Sequence, residues 1–589
     1  MDTAGSLRLA VGADRNRWTT VQVERRVLGI VHNITSATRL IDLLAAFDAD
    51  QRIQVFFSSP GSSALDNGTS EYLRSKGMLE IPWTAAESHK FDLAIATSRG
   101  GDLHNINAPL IGAPHGAGYN KQLSREPGAG SREPGAGSRE PGAFGLTSEW
   151  LMHEDQLVPS VVLLSHDEQR ERLQRGCPEA VSRSMVVGDP CFDQLTASRP
   201  LRASYRKALG VLPHQKLVVV TSTWGPGALL DYAEGDVLRR VLAELPTDEF
   251  RVLAVVHPNA WYGHGSWQLC SWLAPFLDSG LVLPAPETES WKAALVAADF
   301  LVGDHGSVTF YGVSMGIPAL LGAFSQPSVA PDSPMERLGL LLPRLSHSRG
   351  LVEQFLDAAA FQETDPVLDT VRTEISSKPG EAAGRLRHVF YERLGLPEPS
   401  YPATTRLVPL PVVPAPSRQV PILPSMFVST ALSLPQGSAP ATAVVRRYPA
   451  TLQRGGGDHL TEAHLVVDHA DPDTRWAHTA DVLLVPEDRR PPGDEAAAWG
   501  SVGARLSGMV AVEEEADGCC LLLAEQPRLW ARWLHAPAWA SFAVAASVAY
   551  DAVCSVREGA GRFGEPGGLR IEVALGSDRE LGLLAVTMP

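Results

Sequence analysis

Short apolar runs alternate with amphipathic helical segments over the first two-thirds of this 589-residue chain. The runs include 25–33 (RRVLGIVHN), 91–98 (FDLAIATS) and 108–116 (APLIGAPHG), and each of them ends in small or polar residues. Buried parallel strands have this pattern because helices cover both faces of their sheet. The alternation therefore predicts a doubly wound α/β fold, in which ligands bind at the carboxyl ends of the strands.

The alternation occurs in two successive sets. The second set begins at 215–225 (QKLVVVTSTWG), continues through 250–259 (FRVLAVVHPN) and is followed by a helical tail. A chain of this length is too long for a single hydrophobic core. We therefore predict two Rossmann-like domains, at residues 1–205 and 206–396, that face each other across a cleft.

Segments of biased composition mark the rest of the chain. The repeat SREPGAG fills 124–144, and its regular prolines exclude a continuous helix, so we predict a disordered surface insert of the first domain. Nine prolines between residues 397 and 424 predict a semi-rigid linker over 397–425. Residues 426–589 combine strand-like runs with a helix pattern at Ala538–Val553, which predicts a separate α+β domain of unknown role.

Composition argues against several classes of protein. A formal net charge of −16 without a sustained Lys or Arg run argues against a nucleic-acid binder. The six cysteines are scattered without a CxxC pair, which favours reduced thiols, and we expect neither a metal ion nor a cofactor. The chain has no signal-peptide pattern and no apolar run of about 18 residues, so we expect a cytoplasmic protein with at most peripheral membrane contact. Composition leaves the oligomeric state open.

The first candidate site is the segment PHGAGYNK, which directly follows a predicted strand. Gly116 in this segment lets a ligand approach the backbone closely. A histidine ordinarily titrates near neutrality, so His115 could act as a general base on an acceptor hydroxyl. A histidine that only hydrogen-bonds within a turn is the simpler alternative, but the strand-end position and the nearby Lys121 favour the functional interpretation.

Two further candidate segments follow strands of the second set. His257 stands before Pro258, which stiffens the loop, so its imidazole could bind a pyrophosphate oxygen; a structural turn histidine is the alternative. The loop after the strand FLVG leads into a predicted helix at Ser307, and the free N–H groups of a helix start bind anions. We therefore select Gly306 and Ser307 as phosphate-binding candidates and Asp304 as a donor-binding candidate, with a simple helix cap as the alternative.

In this order and at these strand ends, the segments resemble the CDP-glycerol:poly(glycerophosphate) glycerophosphotransferase family of teichoic-acid synthesis. More distantly, they are similar to the capsule polysialyltransferases. The resemblance covers about residues 25–395 and implies a GT-B-like fold, with an acceptor domain followed by a nucleotide-donor domain. The loop 222–225 (STWG) also resembles that family. The matching single residues are His115, Gly116, Lys121, Gly188, Pro190, Asp193, His257, Pro258, Asp304, Ser307, Gly316 and Pro318.

The resemblance implies a transferase that moves a glycosyl or glycerophosphoryl group from a nucleotide-diphosphate-linked donor to an acceptor hydroxyl. His115 would be the base, and His257 with the Gly306/Ser307 helix start would stabilise the leaving nucleotide. The sequence departs from the family at His305 and Gly306, which replace an aromatic residue and a serine, and the segment after His115 lacks the usual Thr-Pro. A nucleotide-sugar epimerase or hydrolase of the same fold, and a non-catalytic binding protein, therefore stay open as alternatives.

Overall fold

A computed structural model describes most of the chain, in eleven stretches. The repeat insert predicted at 124–144 falls almost entirely outside them, between residues 122 and 142. The described residues are 20–62, 68–122, 142–231, 236–413, 422–434, 440–454, 457–489, 508–514, 518–523, 528–557 and 568–587.

The first set of runs forms a six-stranded parallel sheet with the strand order β2-β1-β3-β4-β7-β8. Helix α1 begins at a capping box, in which the Asn33 side chain and Ser36 bond each other's backbone N–H groups. A small hairpin, β5-β6, stands apart from the sheet. The elements of this unit are β1 (Arg25–Ile30), α1 (Ile34–Leu44), β2 (Ile53–Ser58), α2 (Thr69–Ser75), α3 (Trp83–Ser88), β3 (Leu93–Ala96), β4 (Leu110–Gly112), α4 (Ser148–Leu151), β5 (Met152–His153), β6 (Gln156–Leu157), β7 (Val161–Leu164), α5 (Glu168–Gly176), β8 (Ser184–Val186) and α6 (Pro190–Ala197).

The second set forms a four-stranded parallel sheet with the order β10-β9-β11-β12. Val218 and Val220 of β9 and the apolar face of α8 pack in one core on one side of this sheet. The elements are α7 (Arg202–Ala208), β9 (Lys216–Ser222), α8 (Val237–Glu244), β10 (Phe250–Val256), α9 (Pro258–His264), α10 (Ser266–Trp272), α11 (Ala274–Asp278), α12 (Ser290–Ala297), β11 (Phe300–Gly303), α13 (Ser307–Ser314), β12 (Ala319–Leu321), α14 (Pro334–Leu341), α15 (Leu351–Thr364), α16 (Pro366–Thr373) and α17 (Ala382–Leu394).

Buried charges join the two units beside their carboxyl edges. Lys292 of α12 donates to Asp42 of α1 at 2.9 Å and to Gln194 of α6 at 3.1 Å. Arg39 of α1 bonds the hydroxyl of Tyr311 in α13. Because these groups are almost fully buried, each depends on its partner to offset the loss of hydration. The two sheets therefore face a common cleft, which confirms the GT-B-like arrangement predicted from the sequence.

Helix α17 crosses back to the first unit, although the sequence boundaries placed it with residues 206–396. Its apolar face, with Leu386, Val389 and Phe390, packs in the same core as β1 and α1. An amphipathic pattern shows that a helix has a buried face, but it does not show which core receives that face.

Asp193, which matches the resembled family together with Gly188 and Pro190, holds the start of α17. Its buried carboxylate accepts the backbone N–H of Gly380 at 2.7 Å and that of Ala382 at 3.0 Å. This residue of the family motif therefore has a structural role, because it ties the end of the first unit to the returning helix.

We expect the Asp193→Ala variant to lose about 2–3 kcal/mol of unfolding free energy, because two N–H groups would lose a charged acceptor. Urea denaturation measures the change. The control is Asp369→Ala, since the Asp369 side chain is 55% exposed in its pair with Arg372, and it should shift stability by less than about 0.5 kcal/mol. Equal midpoints for wild type and Asp193→Ala would contradict the structural role.

The proline-rich segment lies first against the first unit, where the Tyr401 hydroxyl donates to the carbonyl of Asp48 at 2.8 Å, and then against the second unit up to residue 413. Val408 is buried there, its N–H donates to Ser198 and its carbonyl accepts the Tyr205 hydroxyl at 2.6 Å. Farther on, the N–H of Val412 donates to Ser290 at the start of α12. The described part of the linker is therefore docked on both units.

A separate C-terminal α+β domain follows, which confirms the predicted third unit. Its nine strands close into a barrel, and α19 packs with the alternate strand residues that face it, such as Ala441, Ala443 and Val445. The elements are β13 (Met426–Ser433), β14 (Ala441–Pro449), β15 (His464–Asp468), α18 (Thr474–Thr479), β16 (Val482–Val485), β17 (Met509–Glu514), β18 (Gly518–Leu522), β19 (Leu529–His535), α19 (Phe542–Arg557), β20 (Leu569–Leu575) and β21 (Gly582–Thr587).

The barrel rests on the second unit just before β10. Arg447 of β14 bonds Asp248 at 2.6 Å, and Leu452 enters the core formed by α8 and β10. We predict that this domain folds independently of the other two units. No helix within the described ranges is long and apolar enough to cross a membrane.

Candidate functional site

One cavity lies between the carboxyl edges of the two parallel sheets. The first unit contributes helix α1 and the loops after β3 and β4, and the second contributes the loops after β9, β10 and β11. All eight residues selected from the sequence line it: His115, Gly116, Lys121, His257, Pro258, Asp304, Gly306 and Ser307. The structure therefore brings three segments, separated by up to almost 200 residues of sequence, to one place.

His115 follows β4 on the first-unit side of the cavity. The pKa of its imidazole is lowered to about 3, mainly by burial and in addition by the positive charges of Lys121 and Arg39. The ring is therefore neutral near pH 7 and has a nitrogen lone pair able to take a proton. A bound anion would offset the neighbouring positive charges and so raise this pKa, which would make the imidazole a stronger base in the complex.

Gly116 brings the two units into contact beside His115. A Cβ atom on Gly116 would lie 2.5 Å from the Ser307 hydroxyl of the second unit, so only glycine leaves room for that side chain. Next to this contact, the N–H of Ala330 donates to the carbonyl of Asn120 at 2.8 Å. The loop after β4 therefore lies directly against the start of α13.

The Gly116→Ala variant should weaken nucleotide binding and turnover at least several-fold, because its Cβ must push Ser307 or the loop out of place. Titration with nucleotide measures the loss. The matched control is Gly384→Ala in α17, where nothing lies within 4 Å of the added Cβ and a helical alanine is favourable. Wild-type affinity in Gly116→Ala would show that the close approach has no bearing on the site.

Helix α13 begins at the edge of the cavity. Gly306 is its cap residue and gives no side-chain cap, and in the described part of the chain the N–H groups of Ser307 and Val308 have no acceptor. The helix dipole and these N–H groups favour an anion at this position, and the Ser307 hydroxyl can add a hydrogen bond. The arrangement suits a phosphate oxygen.

Asp304 is fully buried, and both of its carboxylate oxygens are engaged by the backbone. It accepts the N–H groups of Thr223 at 2.7 Å, Leu229 at 3.0 Å and Gly306 at 2.9 Å. Burial raises its pKa to about 6, while these three N–H groups favour the charged form. The carboxylate therefore fixes the loops after β9 and β11 relative to each other, and we assign it as a positioning residue rather than a donor contact.

His257 caps α9 through its own side chain. Its Nδ1 accepts the N–H of Asn259 at 3.0 Å, and burial holds the pKa of the ring well below its usual value. A neutral imidazole with an accepting Nδ1 carries its proton on Nε2. His257 can therefore donate one hydrogen bond to an anion in the cavity.

Lys121 lies over the ring of Trp224, with its Nζ 4.3 Å from the ring centroid. Burial lowers the pKa of the ammonium group to about 8, and the negative charge of Asp304 partly offsets this effect. The loop of Lys121 pairs with Val329 of the second unit. The residue therefore places a positive charge at the junction of the two units.

The sequence did not select several charged residues that line the same cavity. Their positions in the sequence, on α1, at or directly before the start of α12, or after β3, could have identified them as lining residues. A charged residue in an amphipathic helix more often faces solvent, however, so position alone did not select them. His305, the departure from the family, is buried with a pKa lowered to about 4, and its Nδ1 accepts the N–H of Ser325. The additional charged lining residues are Arg39, Asp42, Arg99, Glu289 and Lys292.

Other motif residues lie outside this cavity. Gly316 has a φ of 82° and follows Met315, the C-terminal cap residue of α13. Pro318 directly precedes β12. Gly188, with a φ of 88°, packs against the carbonyl of Lys378. Among the described residues, no group of three His, Cys, Asp or Glu side chains is placed to hold a metal ion.

No protein-family model matches the chain, and no curated protein matches it. Among solved structures, a variant of the wall teichoic acid polymerase TagF soaked with CDPG is 13% identical, covering 64% of this chain and 90% of that chain with a TM-score of 0.44. The UDP-GlcNAc 2-epimerase from Methanocaldococcus jannaschii is 9% identical, covering 62% and 99% with a TM-score of 0.40. The S. aureus MnaA structure with UDP is 13% identical, covering 64% and 99% with a TM-score of 0.37. The chain is thus similar to solved structures of a teichoic acid polymerase and of an epimerase.

Proposed function

We propose that the chain is a transferase that moves a glycosyl or glycerophosphoryl group from a nucleotide-activated donor to an acceptor hydroxyl. The observation that carries the proposal is the cavity in which a neutral His115 of one unit faces the free start of α13 in the other. A base and an anion site on opposite sides of one cleft are the two parts that such a transfer requires.

The second unit supplies the donor half of this proposal. The N–H groups of Ser307 and Val308, the Ser307 hydroxyl and the Nε2–H of His257 can all donate to phosphate oxygens. Asp304 holds the loop that carries the helix start. These donors are fixed before the ligand binds, so they need little rearrangement as charge develops on the leaving nucleotide.

The charges of the cavity also favour an anionic ligand. Each carboxylate that lines it is already engaged: Asp42 and Glu289 by Lys292, and Asp304 by backbone N–H groups. Arg99 and Lys121 have no carboxylate within 4 Å in the described part of the chain. The cavity therefore carries an excess of positive charge, although the net charge of the whole protein is negative.

In the proposed step, His115 takes the proton of the acceptor hydroxyl. The acceptor oxygen attacks the electrophilic atom of the transferred group, and the bond from that group to the nucleotide breaks. The electron pair of this bond leaves with the nucleotide phosphate, whose charge is stabilised by the start of α13 and by His257.

A panel of CDP-, UDP- and CMP-linked donors, each offered with and without candidate hydroxyl acceptors, tests the proposal by nucleotide release. Release that depends on an acceptor, with transfer of the group, supports the transferase. Release to water alone indicates a hydrolase, conversion of the sugar without release indicates an epimerase, and binding without any turnover indicates a non-catalytic protein. Each of these last three results would overturn the proposal.

A further inference from the structure

The first sheet has a ligand-binding position of its own, which the proposed donor site does not use. Its strand order reverses between β1 and β3, since the chain passes from β1 to β2 on one side and from β3 to β4 on the other. In open α/β sheets, the crevice at such a reversal is where ligands bind. The second sheet reverses between β9 and β11, which is where the Asp304 and Ser307 loop stands.

Arg99 stands at this reversal in the first sheet, three residues after the end of β3. Its side chain lines the cavity and is 8% exposed. The contacts of its Nη1 with the carbonyls of Ala96, Ser98 and Ala113 span 3.4–3.5 Å, and its Nη2 lies 3.4 Å from the Tyr119 hydroxyl. These distances are beyond the usual range for N–H···O bonds, and the Nε has no partner at all among the described residues.

The fold nevertheless leaves space for this guanidinium group. A Cβ on Gly112, the last residue of β4, would lie 2.6 Å from the guanidinium carbon, so the absence of a side chain there makes room for it. Other buried arginines of the same unit are paired with carboxylates, as Arg172 is with Glu168 at 2.7 Å and Arg39 is with Asp189 at 3.4 Å. No carboxylate lies within 4 Å of Arg99 in the described residues.

A buried charge without a counterion costs stability, so a residue of this kind needs a compensating partner. The cavity offers none, because its carboxylates are all engaged elsewhere. The planar fork of a guanidinium matches phosphate and carboxylate groups, which accept two parallel hydrogen bonds. An oxyanion from solution would supply both the charge and the acceptors that Arg99 lacks.

We infer that Arg99 forms a second anion subsite, which binds a phosphate or carboxylate group of the acceptor on the His115 side of the cavity. The subsite is distinct from the start of α13 in the other unit. The anion binding stands on the geometry of Arg99, and its assignment to the acceptor rests on the proposed function.

Calorimetric and thermal-shift titrations of the full chain test the inference without any nucleotide. Inorganic phosphate and malonate are the two probes, with chloride at equal ionic strength as the reference, and they distinguish a phosphate-binding from a carboxylate-binding subsite. The variants are Arg99→Gln, which removes the charge, Arg99→Lys, which keeps it without the fork, and Ser307→Ala, which alters the other anion site.

We expect the wild type and Ser307→Ala to share a saturable rise in Tm with at least one probe, and Arg99→Gln to bind that probe at least tenfold more weakly. Arg99→Lys should bind with an intermediate affinity. Without a probe, Arg99→Gln should be as stable as the wild type or more stable, because it no longer buries an unpaired charge. An unchanged response in Arg99→Gln and Arg99→Lys, or no response to either probe in the wild type, would overturn the inference. Because no donor is present, a failure of the transferase proposal appears only in the nucleotide-release panel.

Discussion

The His115→Ala variant should lose turnover by a factor of about 10²–10⁴ and should still bind nucleotide, because removing a general base leaves the donor site of the other unit intact. Nucleotide release under saturating donor measures the loss, and calorimetry measures the binding. The matched control is His388→Ala, since that histidine is exposed and pairs with Glu398 away from the cavity, and it should turn over like the wild type.

The pH dependence of this reaction follows from the lowered pKa of His115. A base with a pKa of about 3 keeps its lone pair throughout the neutral and mildly acidic range. In the free protein, which kcat/KM reports, the protonation of His115 should therefore lie well below the pKa of about 6.5 of an ordinary histidine, and an acid limb near pH 6 belongs to Asp304, whose pKa burial raises to about 6. The acid limb of kcat should lie at higher pH, since a bound anion raises the pKa. An NMR titration of the free protein in which the His115 ring takes up its proton around pH 6.5 would contradict the buried, neutral imidazole.

The Asp304→Ala variant should lose about 3–5 kcal/mol of stability, because three buried backbone N–H groups would lose their common charged acceptor. Nucleotide binding should be lost with it, since the loops after β9 and β11 would no longer be held together. Urea denaturation and nucleotide titration measure the two effects.

The control for this variant is Asp357→Ala, whose carboxylate is 61% exposed in its pair with Arg349. Its stability and binding should be close to those of the wild type. An Asp304→Ala protein that is as stable as the wild type and has lost only nucleotide binding would show that Asp304 contacts the donor, as the sequence first suggested.

The sequence predicted the strand ends because each apolar run closes with small or polar residues, and parallel strands present such ends at one edge. His115, His257 and Ser307 could be selected for this reason. The prediction of two domains facing each other across a cleft further implied that these three residues meet in one cavity. The role of Asp304 could not be predicted, because two of its three N–H partners, Thr223 and Leu229, belong to the segment after β9, whose approach to the loop after β11 depends on the folded arrangement.

Arg99 was missed for a related reason. In the sequence it is one charged residue after a strand, and most such residues are exposed. Only the structure shows that Gly112 and Tyr119 enclose its guanidinium without neutralising it. The closure of the barrel was likewise unpredicted, because β14 pairs in parallel with β20 across more than a hundred intervening residues.

The central claim is that the two units have different roles. The second unit binds the donor, and the first unit activates the acceptor. Isothermal titration calorimetry of the preferred nucleotide against wild type, His115→Ala and Ser307→Ala tests it most directly. The account predicts that His115→Ala binds like the wild type and that Ser307→Ala binds more weakly by about 1–2 kcal/mol, as expected for one hydrogen bond to a charged group. Loss of binding in His115→Ala, together with unchanged binding in Ser307→Ala, would contradict it.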